Sequence, residues 1–216
     1  EDGLRTSWDE SGEKKYEVLY KNGEQEVTKE YWDNGKLKSE VPHNGIGTGW
    51  GRGGKKRFEV SYKNGKKEGL EKSWYYWGEK EYETHYKNGV KEGLETKYLS
   101  DTKYTETHYK NGVREGLVTG WYLSGEKRHE VRYKNGKPVG VSTSWYETRE
   151  KKKEVLIKNG RPVMGTGWYL SGEKEYEVHM NGLNGLKTGW YKTGEKKYEI
   201  PFKNGEAEGL ATTWFK

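Results

Sequence analysis

The sequence has no cysteine, and its 216 residues include only two methionines and four prolines. Without cysteine, neither a disulfide framework nor a thiolate metal site can form, and the compartment stays open between secreted, cell-surface and cytoplasmic. No apolar run exceeds a few positions, which excludes a transmembrane helix. Apolar residues make up 30% of the chain and charged residues 34%. A conventional two-layer sandwich would therefore lack the residues that fill its core.

Aromatic residues are abundant by contrast, with ten tryptophans and eighteen tyrosines. They recur at fixed positions, whereas disordered chains are poor in aromatics, so the pattern indicates an ordered structure. In such a thin structure the aromatic rings must supply most of the buried area. The chain begins at Glu1 rather than at methionine, which indicates a processed or truncated product.

A two-part motif repeats through the chain: Trp-Tyr-x-x-Gly, followed about a dozen residues later by Tyr-Lys-Asn-Gly. It is clearest at 121–125 and 133–136, and the Asn-Gly pairs recur every 20 to 24 residues. A period in this range indicates a repeat architecture. We predict a single array over 1–216, with repeats near 1–23, 24–45, 46–65, 66–89, 90–112, 113–136, 137–160, 161–182 and 183–205, and a terminal half-repeat at 206–216.

Each repeat has the pattern of a β-hairpin. Leu117, Thr119 and Trp121 alternate with their neighbours at the period of two that is typical of a strand. Asn135-Gly136 is the strongest short hairpin signal, because a type I′ turn needs positive φ at both central positions. The fold class that we predict is all-β: an elongated single-layer antiparallel β-meander of about nine 23-residue hairpin repeats. We expect one aromatic and aliphatic face, and an opposite face of Glu and Lys.

Small details of the motif add three expectations. A small residue usually precedes the Trp, so something should pass close to the opposite face there. The pairs Pro42-His43 and His179-Met180 each lack the lysine before Asn-Gly, and Arg149 replaces a turn glycine. The repeat around Lys97-Tyr98 has no tryptophan. Register or turn geometry should depart from the pattern at these places.

Catalysis has little support in the sequence, and we predict a protein that is not an enzyme and has no cofactor or metal. Histidines at equivalent positions, such as His85 and His108, would lie about 10 Å apart, too far for a shared zinc. One Glu per repeat forms a similar row, whose members exceed the ~5 Å separation of a retaining glycosidase pair. We interpret the Glu row as a solvated face neutralised by Lys and Arg, with the histidines exposed on it.

Two sets of residues are candidates for binding. We expect the tryptophan row to pack the sheet and to stack on ligands in a minority of positions. Trp77 stands outside this row, in a turn. The lysines beside the Asn-Gly turns should form a positive edge that attracts anionic partners. The candidate binding residues are Trp77, Trp50, Trp74, Trp121, Trp145, Trp168, Trp190, Lys63, Lys87, Lys110, Lys134 and Lys158.

The stretch Tyr-Lys-Asn-Gly-x-x-x-Gly-Leu-x-x-x-Trp-Tyr-x-x-Gly, at 62–78 and again at 109–125, resembles the bacterial variant of the MORN repeat. The resemblance implies a long antiparallel meander that binds or scaffolds rather than catalyses. Thr119–Tyr122 and Thr188–Tyr191 are also similar to choline- or glucan-binding cell-wall repeats, although those lack the Lys-Asn-Gly half.

Together these features predict a non-enzymatic repeat scaffold whose extended surface binds a protein partner or a second copy of the chain. Two alternatives stay open. One is a carbohydrate- or cell-wall-binding module that uses the Trp/Tyr ladder, and the other is attachment to an anionic lipid surface through the lysine-rich turn edge. Nucleic acid is disfavoured, because no recognised binding fold accompanies the charge.

Overall fold

The computed structural model describes residues 2–208 and 212–214. Within them the chain forms 21 β-strands and no helix. The described part of the chain thus contains no helix suited to crossing a membrane. The strands are β1 (Gly3–Trp8), β2 (Lys14–Lys21), β3 (Glu24–Tyr31), β4 (Leu37–Pro42), β5 (Gly45–Trp50), β6 (Lys56–Lys63), β7 (Lys66–Lys67), β8 (Gly69–Trp74), β9 (Lys80–Lys87), β10 (Val90–Leu99), β11 (Thr102–Lys110), β12 (Val113–Trp121), β13 (Lys127–Lys134), β14 (Lys137–Trp145), β15 (Lys151–Lys158), β16 (Arg161–Trp168), β17 (Lys174–Asn181), β18 (Asn184–Trp190), β19 (Lys196–Lys203), β20 (Glu206–Ala207) and β21 (Thr212–Thr213).

The chain divides into two compact units, Glu1–Lys103 with His108–Val113 and Tyr104–Thr107 with Arg114–Lys216. In the first unit the strands from β1 to β10 pair antiparallel in chain order, with both β7 and β8 on β6. In the second unit the strands from β12 to β19 pair in the same way, and β20 and β21 both pair with β19. The predicted all-β antiparallel meander of hairpins is therefore confirmed.

The predicted repeat boundaries and the single array over 1–216 stay predictions. Within the half-repeat at 206–216, residues 209–211 and 215–216 lie outside the described part of the chain.

The Asn-Gly turns have the backbone that the sequence predicts. Asn135 has φ 50° and Gly136 has φ 75°, and the same pair of positive values occurs at the other regular Asn-Gly turns. Asn44 and Asn181 do not take positive φ. These two belong to the repeats that lack the lysine, so the predicted departure in turn geometry is found there.

The other two irregular repeats also depart from the pattern. Ser100 and Asp101, both with positive φ, form a two-residue turn between β10 and β11 in place of the longer Tyr-x-x-Gly turn. Arg149 keeps the left-handed backbone of the glycine that it replaces, with φ 80°. Its guanidinium donates two hydrogen bonds to Glu126, at 2.7 and 2.6 Å, and this contact offsets the backbone strain of a non-glycine residue.

A β-bulge precedes the tryptophans of the hairpins. Gly167 pairs with Tyr176, but Trp168 pairs with Lys174, so one extra residue lies in β17. The same shift occurs before Trp8, Trp50, Trp74, Trp121, Trp145 and Trp190. Because a bulge breaks the strict alternation of a strand, it lets the Lys at the bulge and the Glu three residues later share one face.

The glycine before Trp is covered by an aromatic ring of the partner strand. A Cβ at Gly167 would lie 2.3 Å from the Tyr176 ring, and Gly49, Gly120 and Gly189 are covered in the same way by Phe58, His129 and Tyr198. The expected close approach is therefore present, and glycine provides the space for the ring. We call the side of the sheet that carries these rings the tyrosine face, and the opposite side the tryptophan face.

Successive repeats are joined at both ends of the hairpins. At the Asn-Gly end, the backbone N–H of Asn135 donates to Glu115 at 2.7 Å, and Gly136 donates to the carbonyl of Arg114. At the other end, the Tyr122 hydroxyl donates to the carbonyl of Trp145 at 2.8 Å. Equivalent bonds recur in other repeats. Each hairpin is thus stabilised chiefly by its neighbours, as in other repeat proteins.

Candidate binding surfaces

The tryptophan face of the second unit has three parallel rows of side chains. The first row consists of Trp and Lys residues, and the second alternates Thr with Glu, as in the pair Thr143–Glu154. The third row, which we call the aliphatic row, contains Val141, Leu156, Met164, His179, Leu186 and Pro201, paired in that order across β14 to β19. The strand register alone thus places three chemically different stripes on one face.

In the first two rows one lysine connects a carboxylate with an indole ring. Lys151 lies 2.6 Å from Glu154 and 5.3 Å from the ring centroid of Trp168 in the next repeat. Cation–π contacts of the same kind are Lys56–Trp74, Lys127–Trp145, Lys174–Trp190 and Lys196–Trp214. We call this array the Trp–Lys–Glu ladder. Its rings have a partner within the protein. Trp74, Trp145, Trp168 and Trp190 are half-buried, and Trp214 is 37% exposed.

Tyrosine replaces tryptophan in the ladder at two positions. The Tyr31 hydroxyl donates to Glu17 at 2.5 Å, and the Tyr98 hydroxyl donates to Glu83 at 3.0 Å. The bond to Glu17 is the main cause that raises the pKa of Tyr31 to about 12. Hydrogen bonds from Lys14 and then Tyr31 lower the pKa of Glu17. The repeat without tryptophan therefore keeps the ladder through a phenol.

The position of the Glu row corrects the sequence prediction. We expected Glu and Lys opposite the aromatic face, but Glu154 and Trp168 lie on the same face, because Glu154 pairs with Thr166, two residues before Trp168. The bulge is the physical reason, since it shifts the alternation by one residue between Lys151 and Glu154. The expected neutralisation of the Glu row is found, since Glu83, Glu130 and Glu177 are each paired with a lysine, although that lysine lies three residues earlier on the same strand.

The candidate tryptophans Trp50, Trp74, Trp121, Trp145, Trp168 and Trp190 are all half-buried. Trp8, on the same row, is 59% exposed. Within each unit the predicted tryptophans lie on the tryptophan face of that unit, as part of the packing between repeats.

The aliphatic row is the most exposed apolar feature of this face. Val141 is 50% exposed, and Met164 and Leu186 are each 40% exposed. A cavity of about 520 Å³ lies along this row, between Leu156, Met164 and Leu186. Residue type does not predict the row, because it varies from repeat to repeat; the period-two spacing from each Trp does indicate it.

The first unit has a comparable apolar stripe on its own tryptophan face. Leu4 pairs with Leu19, and Leu19 pairs with Val27. Leu4 is 59% exposed and Leu19 is 40% exposed, and both line a cavity of about 410 Å³. Exposed apolar side chains in continuous patches are typical of binding surfaces.

Trp77 lies in the turn between β8 and β9 and is 42% exposed. Its ring stacks on Tyr75 at 4.4 Å and meets Tyr76 edge-on at 4.6 Å. The indole Nε1 donates to Glu79 at 2.9 Å, and the carbonyl accepts from Lys55 at 2.7 Å. The ring is thus held in place while one part of it stays accessible.

The lysines of the Asn-Gly turns end their strands and are exposed. These are the predicted Lys63, Lys87, Lys110, Lys134 and Lys158. Lys134 pairs directly with Lys137, and Lys63 pairs with Lys66. Like charges opposite each other repel, so these lysine pairs concentrate positive charge at the turns, where a carboxylate such as Glu115 also lies.

The tyrosine face of the first unit contains buried polar groups that the sequence analysis did not single out. Glu71 is 3% exposed and lies 2.7 Å from Lys67, and Thr84 is 1% exposed and donates to Glu95 at 3.0 Å. Burial, and then the charge of Glu71, raises the pKa of Tyr82 to about 12. Glu71 and Glu95 stand at a different position of the repeat from the glutamates of the Glu row. The recurring Glu pattern in the sequence therefore did not predict them.

The histidines do not all follow the expected pattern. His85 and His179 are exposed, but His129 is half-buried over Gly120, and burial, with the charge of Arg128, lowers its pKa. The expectation that all five are exposed is therefore wrong for His129, which takes the position of an aromatic ring, and for His43, which is also half-buried. Within residues 2–208 and 212–214, no group of three or more His, Asp or Glu side chains could hold a metal ion.

Comparison with known protein families finds a match to the repeats of this chain. The family model described as MORN repeat variant matches residues 1–22, 27–44 and 183–204. The predicted resemblance is thus confirmed at three regions. Such repeats are generally non-catalytic modules that mediate protein or membrane interactions. With the observed meander, they fit a repeat scaffold. No curated protein matches the chain.

Two solved structures share weak similarity with the chain. One is the crystal structure of accessory secretory protein 1, 2 and 3 in Streptococcus pneumoniae, with 13% identity, 45% of this chain, 19% of that chain and a TM-score of 0.29. The other is the crystal structure of TcdB2-TccC3-Cdc42, with 10% identity, 92% of this chain, 13% of that chain and a TM-score of 0.22. The chain spans only these small shares of the two proteins, and scores this low support no inference about function.

Proposed function

We propose that this protein is a non-enzymatic repeat scaffold that binds a protein partner through its aliphatic row. The observation that carries the proposal is the exposure of Val141, Met164 and Leu186 in one line, beside a ladder whose aromatic rings already have partners. A protein surface with apolar side chains would fill the cavity along the row.

The charged groups support the same choice. Because Lys151 and Lys174 each contact both a Glu and an indole ring, a stacking sugar would have to displace these cations. The turn lysines are separate from the aliphatic row, at the strand ends. Apolar contacts keep their strength in salt, whereas attraction between the lysine edge and an anionic surface is screened.

Site-specific photo-crosslinking tests this proposal. A photoreactive amino acid at Met164 is compared with one at Leu170, which is 51% exposed but lies in a turn outside the row. After irradiation in an extract of the source organism, the Met164 probe should yield a discrete adduct with protein, and the Leu170 probe should not. Leu186→Asp should lower the Met164 adduct at least about fivefold, as loss of an interface contact does.

Two results would contradict the proposal. Equal adducts from the Met164 and Leu170 probes would mean that the row has no special role. Loss of the adduct at moderate salt, with binding of the chain to anionic vesicles, would assign the interaction to the lysine edge instead.

A further inference from the structure

Position 51 lacks a contact that recurs in six other hairpins, whose donors are Trp32, Tyr75, Tyr122, Tyr146, Tyr169 and Tyr191. Asp9 and Leu99 stand at the same position in two further hairpins. In the second unit a tyrosine follows Trp121, Trp145, Trp168 and Trp190, and its hydroxyl donates to the carbonyl of the Trp position in the next repeat. Tyr146 donates to Trp168 at 2.9 Å, for example. In the repeat before position 51, the indole of Trp32 does the same to Trp50 at 3.2 Å. At position 51 the residue is glycine, so both the ring and the donor are missing.

The missing ring would also have faced a cation. In three other hairpins the extra residue of the bulge is a lysine that lies over this ring: Lys38 over Trp32 at 5.3 Å, Lys152 over Tyr146 at 5.3 Å and Lys197 over Tyr191 at 5.4 Å. In the hairpins of Trp74 and Trp168 the extra residue is a glutamate. In the hairpin of Gly51 the corresponding cation is Arg57. Its Cγ and Cδ would each lie 3.7 Å from a Cβ at position 51. Arg57 therefore borders the space that a tyrosine ring occupies elsewhere.

That space is a cavity of about 510 Å³, which we call the Gly51 cavity. The residues that line it include Trp32, Trp50, Phe58 and Tyr76. The volume lies within the range of roughly 300 to 1,000 Å³ that is typical of small-molecule sites. Aromatic lining residues favour a flat, apolar ring as the occupant.

The charges at the cavity favour an anion. Lys38 and Arg52 also line it, but Lys38 is paired with Glu30 at 2.9 Å and Arg52 with Asp33 at 2.8 Å. Arg57 is half-buried, and in the part of the chain that the structure describes its guanidinium has neither an ion pair nor a hydrogen bond. A guanidinium in an aromatic cavity binds a carboxylate well, because two parallel hydrogen bonds form.

We propose that the Gly51 cavity binds a phenolic carboxylate, that is, a para-hydroxyphenyl ring that carries a carboxylate group. The ring takes the place of the missing tyrosine, and the carboxylate pairs with Arg57. The phenol hydroxyl donates to the carbonyl of Trp74, which is the equivalent of the acceptor used by Tyr146. The ligand is either a small aromatic acid or a tyrosine at the free C-terminus of a peptide.

Isothermal titration with 4-hydroxyphenylacetate tests the proposal on the full chain. We expect saturable binding of one ligand per chain. Phenylacetate, which lacks the hydroxyl, and tyramine, which lacks the carboxylate, should each bind at least about tenfold more weakly, as expected when a polar partner is left unpaired. A peptide that ends in tyrosine, compared with its C-terminal amide, distinguishes the two sources of the ligand.

Three variants locate the binding. Gly51→Tyr fills the cavity with the ring found in other hairpins, and should abolish binding while the thermal midpoint stays equal or rises. Its backbone allows the change, since φ is not positive there and a Cβ meets only ordinary contacts. Arg57→Gln should weaken binding at least about tenfold. Arg128→Gln, at the equivalent position of a hairpin that has its tyrosine, should leave binding unchanged.

The proposal is overturned if the wild type gives no heat at millimolar ligand, or if tyramine binds as well as 4-hydroxyphenylacetate. It is also overturned if folded Gly51→Tyr, checked by circular dichroism, still binds. Should Gly51→Tyr not fold, unchanged binding by Arg57→Gln has the same consequence.

Discussion

At the residue scale, a single lysine in a repeat makes two contacts, one with a carboxylate and one with an indole ring. Lys151 pairs with Glu154 on its own strand and lies over the Trp168 ring of the next repeat. The ion pair alone contributes little, because both side chains are more than a third exposed and exposed pairs have a median value of about 0–1 kcal/mol. The contact with the ring couples neighbouring hairpins, so the lysine stabilises the array rather than a site.

Replacing this lysine should lower stability more than replacing a lysine of the turn edge. Lys151→Ala should reduce the free energy of unfolding by about 1 kcal/mol, through loss of the cation–π contact and the ion pair. Lys158→Ala, at an exposed strand end, should change it by less than about 0.5 kcal/mol. Urea unfolding followed by tryptophan fluorescence measures both. Equal losses for the two variants would show that the ladder lysine has no structural role.

Tyrosine ionisation gives a second test at the residue scale. The pKa of Tyr82 is about 12 in the folded protein against an ordinary value of 10.0, because of burial and then the charge of Glu71. A raised pKa of an acid means that the folded state favours the neutral phenol. The corresponding stability is therefore complete below pH 10 and is lost as the pH rises towards 12.

We expect Tyr82→Phe to lose less stability than the wild type between pH 10 and pH 12. The measurement is the urea midpoint at a series of pH values, with tyrosinate absorbance as the record of ionisation. The control is Tyr76→Phe, at a tyrosine that is 74% exposed. This variant should lose as much stability as the wild type between pH 10 and pH 12. Identical curves for Tyr82→Phe and wild type would contradict the assignment.

At the element scale, each hairpin depends on a bulge and on an aromatic ring over glycine. The Tyr176 ring lies where the Cβ of residue 167 would be. In the preceding repeat the same position is Ser144, whose partner is Lys153 rather than an aromatic residue. The requirement for glycine thus follows from the partner strand and not from the turn.

Gly167→Ala should therefore lower the free energy of unfolding by about 1–3 kcal/mol, since the ring must move out of its packed position. Ser144→Ala, at the equivalent position without a ring, should cost less than about 0.5 kcal/mol. Thermal unfolding followed by circular dichroism compares them. A neutral Gly167→Ala would mean that the ring moves freely and does not define the hairpin.

The hairpins were predictable from sequence because turn chemistry is local. Asn135-Gly136 demands positive φ at both residues, and the structure has it. The faces on which Glu and Trp lie were not predictable from sequence. The bulge between Lys151 and Lys153 shifts the alternation of side chains, and nothing in the sequence of the strand indicates it. The buried Glu71 was also missed, since burial of a carboxylate depends on Lys67 and on rings from other strands.

At the scale of the whole molecule, the proposed function assigns stability and binding to different rows of the tryptophan face. The Trp–Lys–Glu ladder joins neighbouring repeats through contacts such as that of Lys151 with Trp168. The aliphatic row leaves Val141, Met164 and Leu186 exposed, and these residues differ in type from repeat to repeat. A repeat scaffold can change such a row without losing its fold, since each repeat is held by its neighbours.

Covalent footprinting of the chain in an extract of the source organism, compared with the chain in buffer, tests this separation most directly. We predict that the extract reduces labelling of Val141, Met164 and Leu186, while labelling of Trp145, Trp168 and Trp190 stays as it is in buffer. Reduced labelling of the three tryptophans, with the aliphatic row unchanged, would contradict the account and would assign binding to the ladder.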